Sequence, residues 1–330
     1  MHDLAGRCAH LAAWSPELGG SRTSGRRQVP GGTAGPAVRL ALHPAILAGC
    51  AQMSVDHQLA LTEHLPEDSG AAGPLVVLVH GSLDRAGSFA RVIRRLGDLH
   101  TVAYDRRGYH HSRGDLPVHD SLDGHIDDLL AVIDGRPAVV VGHSYGGTLA
   151  LGAALRATGA GPIVTLAAYE PPLPWLGGRA TRGGTPGGRT PRRDDELPAE
   201  VAERFFRRMV GDTAWERLPE SARAARRADG AALAAELAAI RVDRAPFDVT
   251  SLAVPAVFGR GTESLPHHRA AVSWLHDHVA GSRLIEIDGA AHGAHLTHPD
   301  AFAGLVRAAV DRALPAGRSS PTARTESAGG

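Results

Sequence analysis

The stretch Gly142-His143-Ser144-Tyr145-Gly146 follows directly on the apolar run Ala138-Val139-Val140-Val141, so a G-x-S-x-G pattern falls where a strand would turn into a helix. In that setting a serine can become a nucleophile, because the turn holds it at strained backbone angles and lifts its hydroxyl clear of the sheet. The two glycines leave room on either side. Five residues alone mean little in a chain with 40 glycines. The buried-type strand before them and the helix-forming run from Thr148 to Leu155 after them give the pattern its weight.

Such a serine must be held by a scaffold, and the chain shows one. Apolar strand-like runs alternate with helical patterns, the signature of an α/β fold with a mainly parallel sheet flanked by helices on both faces. The expected strands are Gln58–Glu63, Leu75–Val79, Thr101–Tyr104, Ala138–Val141, Ile163–Ala168, Ala256–Gly259 and Arg283–Ile287. Helices fit Phe89–Leu96, Leu122–Ile133, Gly147–Ala157, His267–His278 and Pro299–Leu314. Between about 171 and 250 the rhythm breaks, and this segment is expected to be an inserted helical cap. Its first part, Gly177 to Arg193, reads as a Gly- and Arg-rich loop; Val201–Phe206 and Ala231–Ile240 carry helical spacing suited to a lid packed over a pocket. Residues 1–52 and 316–330 lack sustained periodicity and are expected to be disordered, leaving 53–315 as one domain.

From roughly Val55 to Leu314 the order of motifs resembles the α/β-hydrolase superfamily. His80-Gly81-Ser82 follows the strand Leu75–Val79, and the resemblance gives Ser82 and Tyr145 the backbone N–H groups of an oxyanion hole. Asp105-Arg106-Arg107-Gly108-Tyr109-His110-His111-Ser112 resembles the family's D-x-R-G-x-G-x-S loop, with His110 in place of the second glycine. Asp105 and Arg107 read as groups that hold this loop by charge-assisted hydrogen bonds. The family places its general base in a loop after the last strand, where Gly289-Ala290-Ala291-His292 follows Arg283–Ile287, so the resemblance implies His292 as base and later acid. The acid that orients this histidine departs from the common pattern. Ser264 stands where the aspartate is expected, Glu263 is one residue early, and the rival is Glu170 in Ala168-Tyr169-Glu170-Pro171-Pro172, after an earlier strand. Glu170 is the preferred candidate because an acid is needed and its usual position is empty.

Composition removes other chemistries. All 35 basic residues are arginine, which excludes a Schiff-base lysine, a pyridoxal-phosphate anchor and a P-loop lysine. Zero formal net charge gives no reason to expect nucleic acid as a partner, and no apolar stretch is long enough to span a bilayer. No cofactor or metal is expected. His110 and His111 are adjacent and on an extended chain would point apart; His295 and His298 follow His292 at three-residue spacing, but no glutamate completes an H-E-x-x-H pattern. Cys8 and Cys50 both precede the first strand, compatible with a cytoplasmic protein starting at Met53. Arg26-Arg27 and Leu47-Ala48-Gly49-Cys50 leave a minor alternative, an exported lipoprotein lipidated at Cys50. The expected function is a serine hydrolase acting through an acyl-enzyme on a small to medium acyl substrate. The alternative is a catalytically silent ligand-binding or partner-recognition protein on the same fold.

Overall fold

Strands that are apolar at every position, such as Leu75–Val79, are stable only when layers cover both faces of their sheet. The computed structural model, which describes residues 59–66, 73–114, 117–157, 161–176, 196–240 and 245–313 with the backbone of 39–42, has that arrangement. Its strands are β1 (Arg39–Leu42), β2 (Ala60–His64), β3 (Leu75–Val79), β4 (Thr101–Tyr104), β5 (Ala138–His143), β6 (Ile163–Tyr169), β7 (Ala256–Gly261) and β8 (Arg283–Ile287). They lie in the order β1-β2-β4-β3-β5-β6-β7-β8. From β4 to β8 all neighbours are parallel, while β2 runs antiparallel to β4 and β1 antiparallel to β2.

Side chains alternate across the pleat, and each strand therefore feeds two cores. Val77, Val79 and Val140 pack with Ile126, Leu129 and Leu149 on one face. Val76, Leu78, Val139 and Val141 pack with Phe89, Phe302 and Leu305 on the other. The covering helices are α1 (Ala90–Ile93), α2 (Leu122–Ile133), α3 (Tyr145–Arg156) and, from the C-terminal part, α8 (Pro266–His278), α9 (Ala294–Thr297) and α10 (Pro299–Ala313). The helix expected over Phe89–Leu96 is shorter than its apolar pattern suggests. A 3-10 turn over Ala86–Phe89 precedes α1, and the chain leaves the helix through turns in which the N–H of Leu96 donates to the carbonyl of Ile93 (2.9 Å).

Between β6 and β7 the described residues form α4 (Pro198–Val210), α5 (Asp212–Arg217), α6 (Glu220–Ala228) and α7 (Gly230–Ala239). Val201, Ala202 and Leu233 bury their apolar sides against one another and against Leu83, two residues past Gly81. Thus the insertion rests on the loop after β3. Its outer side is tied by Arg207 and Arg227, both bonded to Glu203. Arg39–Leu42 lies within the stretch 1–52 expected to be disordered and pairs as an edge strand, Leu40 opposite Thr62. The remainder of that stretch, with Cys50 and Met53, the Gly177–Arg193 loop and the tail 316–330 lie outside the described residues. Among the described residues no helix is long and apolar enough to cross a membrane.

Candidate active site

Parallel sheets gather functional side chains at the carboxyl ends of their strands, where the chain leaves each strand for a loop. At the end of β5 the backbone makes a tight turn at Ser144, with φ 53° and ψ −126°, before entering α3. No ordinary residue rests there without support. The support is steric and hydrogen-bonded: the Ser144 N–H donates to the carbonyl of Tyr169 (2.9 Å), and neighbouring chain crowds both glycines. A Cβ on Gly146 would lie 2.1 Å from the carbonyl oxygen of Val79, and one on Gly142 would lie 2.2 Å from that of Gly146. The turn therefore admits only glycine at these places. Ser144 lines a cavity of about 390 Å³ together with Ser82 and His292.

His292 and Glu170 meet beside this cavity. The Oε2 atom of Glu170 lies 2.7 Å from Nδ1 of His292, and its Oε1 accepts the N–H of Gly261 (2.8 Å). Glu170 is fully buried and sits at φ 47°, its own N–H bonded to the carbonyl of Gly259 (3.0 Å). A proton on Nδ1 of His292, directed at the carboxylate, leaves the lone pair on Nε2. The histidine loop is fixed from behind as well: Tyr169 Oη donates to the carbonyl of Ala291 (3.0 Å), and Nε2 of His143 to that of His292 (2.8 Å). His268 stacks on the His292 ring at 4.2 Å; burial and the neighbouring His292 push its own pKa down to about 2, so it adds no charge. Of the two glutamates weighed from sequence, the structure brings Glu170 to His292. Glu263 is exposed, its N–H bonded to the carbonyl of Ala290 (2.9 Å), and Ser264 is buried beside Gly261.

Opposite this pair lies the loop after β3. Gly81 approaches the turn so closely that a Cβ there would come within 2.9 Å of Ser144 Cβ. His80 is fully buried, accepting the N–H of Arg106 at Nε2 (2.9 Å) and donating from Nδ1 to the carbonyl of Gly81 (2.8 Å). Burial and the Arg106 charge lower its pKa to about 4, so it serves as a neutral brace. Ser82 follows, and Tyr145 is the first residue of α3, whose N–H belongs to the group that no helical carbonyl can satisfy.

Arg106 and Glu236 are the residues that sequence reading missed. Both are fully buried, joined at 2.7 Å, and Glu236 comes from α7 of the insertion. Arg106 also donates to the carbonyls of His80 and Gly81 (3.0 Å each), while Tyr109 Oη (2.9 Å) and Ser82 Oγ donate to Glu236. One signal was available: Glu236 is the single charge in the run Gly230–Ala239, and a charge on an otherwise apolar helix is buried only with a partner.

The neighbouring loop residues act as read. Asp105 accepts the N–H of Ala86 (2.8 Å) and of His111 (3.2 Å), and Arg107 makes a two-point contact with Asp128 (2.7 and 3.0 Å). The expectation that His110 and His111 point apart is corrected. His110 takes up a positive φ of 44° where the related loop has glycine, and the 3-10 turn it opens brings the two rings to 3.8 Å, both facing Asp105.

Comparison with known proteins gives a consistent picture. Residues 76–305 match a model described as the alpha/beta hydrolase family. A segment of 94 residues is 39% identical to the uncharacterized hydrolase YraK of Bacillus subtilis, covering 26% of this chain and 33% of that protein. Over 262 residues, 75% of the chain, it is 34% identical to 12% of the polyketide synthase ThaQ of Burkholderia thailandensis. The chain thus spans a third or less of these relatives' own lengths. Among solved structures, the enol-lactonase of Burkholderia xenovorans LB400 superposes with a TM-score of 0.57 at 24% identity, covering 77% of this chain and 96% of that one. An alpha/beta hydrolase of Sphaerobacter thermophilus does so with a TM-score of 0.54 at 26% identity, over 77% and 96%.

Proposed function

The chain belongs to the alpha/beta hydrolase family, and from that premise we propose that it is a serine hydrolase cleaving the acyl bond of a small to medium organic substrate. The observation that carries this reading is the buried Glu170 lying 2.7 Å from His292, which lines the cavity together with Ser144. His292 takes the Ser144 proton at Nε2 as the oxygen attacks the substrate carbonyl, and Glu170 holds the resulting imidazolium in place. The negative oxygen of the tetrahedral intermediate accepts the N–H groups of Ser82 and Tyr145; each such donor is worth about 3 kcal/mol in comparable sites. His292 then passes the proton to the leaving group, and water, activated by the same base, releases the acid from Ser144.

The cavity volume of about 390 Å³ falls at the lower end of the range for small-molecule sites. Phe205, Phe206, Met209 and Leu296 in its lining suit an apolar acyl group. The helical insertion, resting on Leu83, acts as the cap over this group. Oxygen esters and thioesters both fit the chemistry, and the similarity to a segment of a polyketide synthase is the reason to test both. The non-catalytic alternative drew on the empty aspartate position, and Glu170 beside His292 weakens that ground. The test is hydrolysis of p-nitrophenyl esters and an acyl thioester of graded chain length. Ser144→Ala is expected to lower kcat by at least about 10⁴-fold. Unchanged hydrolysis by the Ser144→Ala protein would sink the proposal.

A further inference from the structure

We propose that Asp84, His143 and His295 form a binding site for one divalent transition-metal ion of the zinc class, with an open coordination position on the cavity that holds Ser144. The three come from different elements: the loop after β3, the last residue of β5, and α9. One donor atom from each lies within 4.8 Å of the other two. Nδ1 or Nε2 of a histidine ligates only as a bare lone pair, and the structure fixes which nitrogen of His143 is bare. Its Nε2 faces the carbonyl of His292 at 2.8 Å, so Nε2 carries the proton and Nδ1 does not. A ring N–H given to a backbone carbonyl is the usual second contact of a metal-bound histidine.

The nitrogens left over are poorly used. His143 and His295 are 6% and 2% exposed, yet the Nδ1 atoms of both lack a hydrogen-bond partner and Nε2 of His295 has only the Asp84 carboxylate beside it. An unsatisfied buried polar atom costs about 1–3 kcal/mol, and here such atoms sit on two rings 4.1 Å apart. One cation takes up Nδ1 of His143 and Nε2 of His295 together, one nitrogen from each ring. Nε2 of His295 lies 3.2 Å from Oδ2 of Asp84. That separation matches the roughly 3.4 Å between ligand atoms of a tetrahedral zinc whose bonds are near 2.0–2.1 Å. Two imidazoles and one carboxylate suit zinc, cobalt or copper and not the all-oxygen preference of magnesium or calcium. All three residues line the cavity with Ser144 and His292, so the open position faces the acyl group's space. Linear spacing hid this set. His295 was weighed with His298, which instead bonds Thr297 (2.9 Å).

Binding stands apart from the serine-hydrolase reading; only its consequence, reversible inhibition of hydrolysis by the metal, rests on that reading. The experiment titrates the full chain with Co²⁺, following the intense visible absorption of tetrahedral cobalt, and then with Zn²⁺ by displacement. Wild type is expected to bind one equivalent with that band, and Ser144→Ala to keep it. Asp84→Asn and His295→Ala are expected to weaken binding by at least about tenfold, a loss no smaller than that seen for residues one step removed from a metal. His119→Gln, in the separate His119, His125 and Asp128 group, is expected to change nothing. His295→Cys retains a ligand and is expected to add a thiolate-to-cobalt charge-transfer band absent from the parent; this variant decides if circular dichroism finds His295→Ala unfolded. Absence of the tetrahedral band in folded wild type, full binding by both Asp84→Asn and His295→Ala, or a folded His295→Cys without the new band overturns the site. Tight binding with no inhibition overturns the placement of its open position.

Discussion

At the scale of single residues, the charge that matters most is a carboxylate with no solvent contact. Glu170 spends one oxygen on the N–H of Gly261 and the other on His292, so its side chain has no freedom to serve elsewhere. In Glu170→Gln the amide can still reach His292 but favours the wrong tautomer, and kcat is expected to fall by about 10⁴-fold, as for the equivalent change in a serine protease. Glu263→Gln is expected to stay within about twofold, because an exposed group outside the pair has little to lose. Steady-state ester hydrolysis by the two variants checks this, and the reverse order would contradict it. The serine, the histidine and the preferred acid were legible as candidates because Ser144 and Glu170 directly follow strands and His292 stands in the loop after the last one, where spacing and motif order survive in one dimension. The choice between two glutamates was not fully legible. It depends on a positive φ at Glu170 and on the reach to Gly261, 91 positions away, neither of which a linear pattern encodes.

At the scale of elements, β2 to β8 were read within a residue or two, the central ones because strands buried on both faces are continuous apolar runs bounded by loops, while β1, inside the stretch expected to be disordered, was missed. The insertion was read only in outline. Val201–Phe206 and Ala231–Ala239 are helical as their spacing indicates, but α5 has only six residues and α6 sets alanines, with no large apolar side chain, against its arginines. Nor could spacing show that α7 delivers Glu236 to Arg106 and Ser82. This contact ties the position of the insertion to the loop that carries the Ser82 N–H. Glu236→Gln leaves the buried Arg106 without its counter-charge, a change that costs about 3–5 kcal/mol. The expected result is a Tm lower by ~10 °C, since each kcal/mol shifts a domain of this size by about 2–4 °C. A fall in kcat larger than the change in KM should accompany it, because the loosened loop serves the transition state more than the bound ester. A Tm within about 1 °C of wild type would show that the pair does not anchor the insertion.

At the scale of the whole molecule, the interior holds histidines that folding keeps neutral. Burial, aided by nearby positive groups, lowers the pKa of His80 to about 4 and of His125 and His268 to about 2, and takes His143 well below its ordinary 6.5. Below pH 6.5 these groups take up protons in the unfolded chain and not in the folded one, so stability falls as pH falls, by about 1.4 kcal/mol per unit for each. The loss continues down to about 4 for His80 and lower for the others. Thermal melts are expected to be level from pH 8 to 7 and to decline from 6.5 to 5, a window above the ordinary carboxylate range; His268→Gln should lessen the slope, and a flat profile would contradict the neutral assignment. Across the whole chain, the central claim is that one serine among many is activated by its surroundings. Treatment of the folded protein with a fluorophosphonate, followed by intact-mass and peptide analysis, tests it most directly. One adduct per chain on the peptide bearing Ser144, absent from Ser144→Ala and strongly slowed in Glu170→Gln, is the expected result; no adduct in folded protein, or an adduct on another serine, would contradict it.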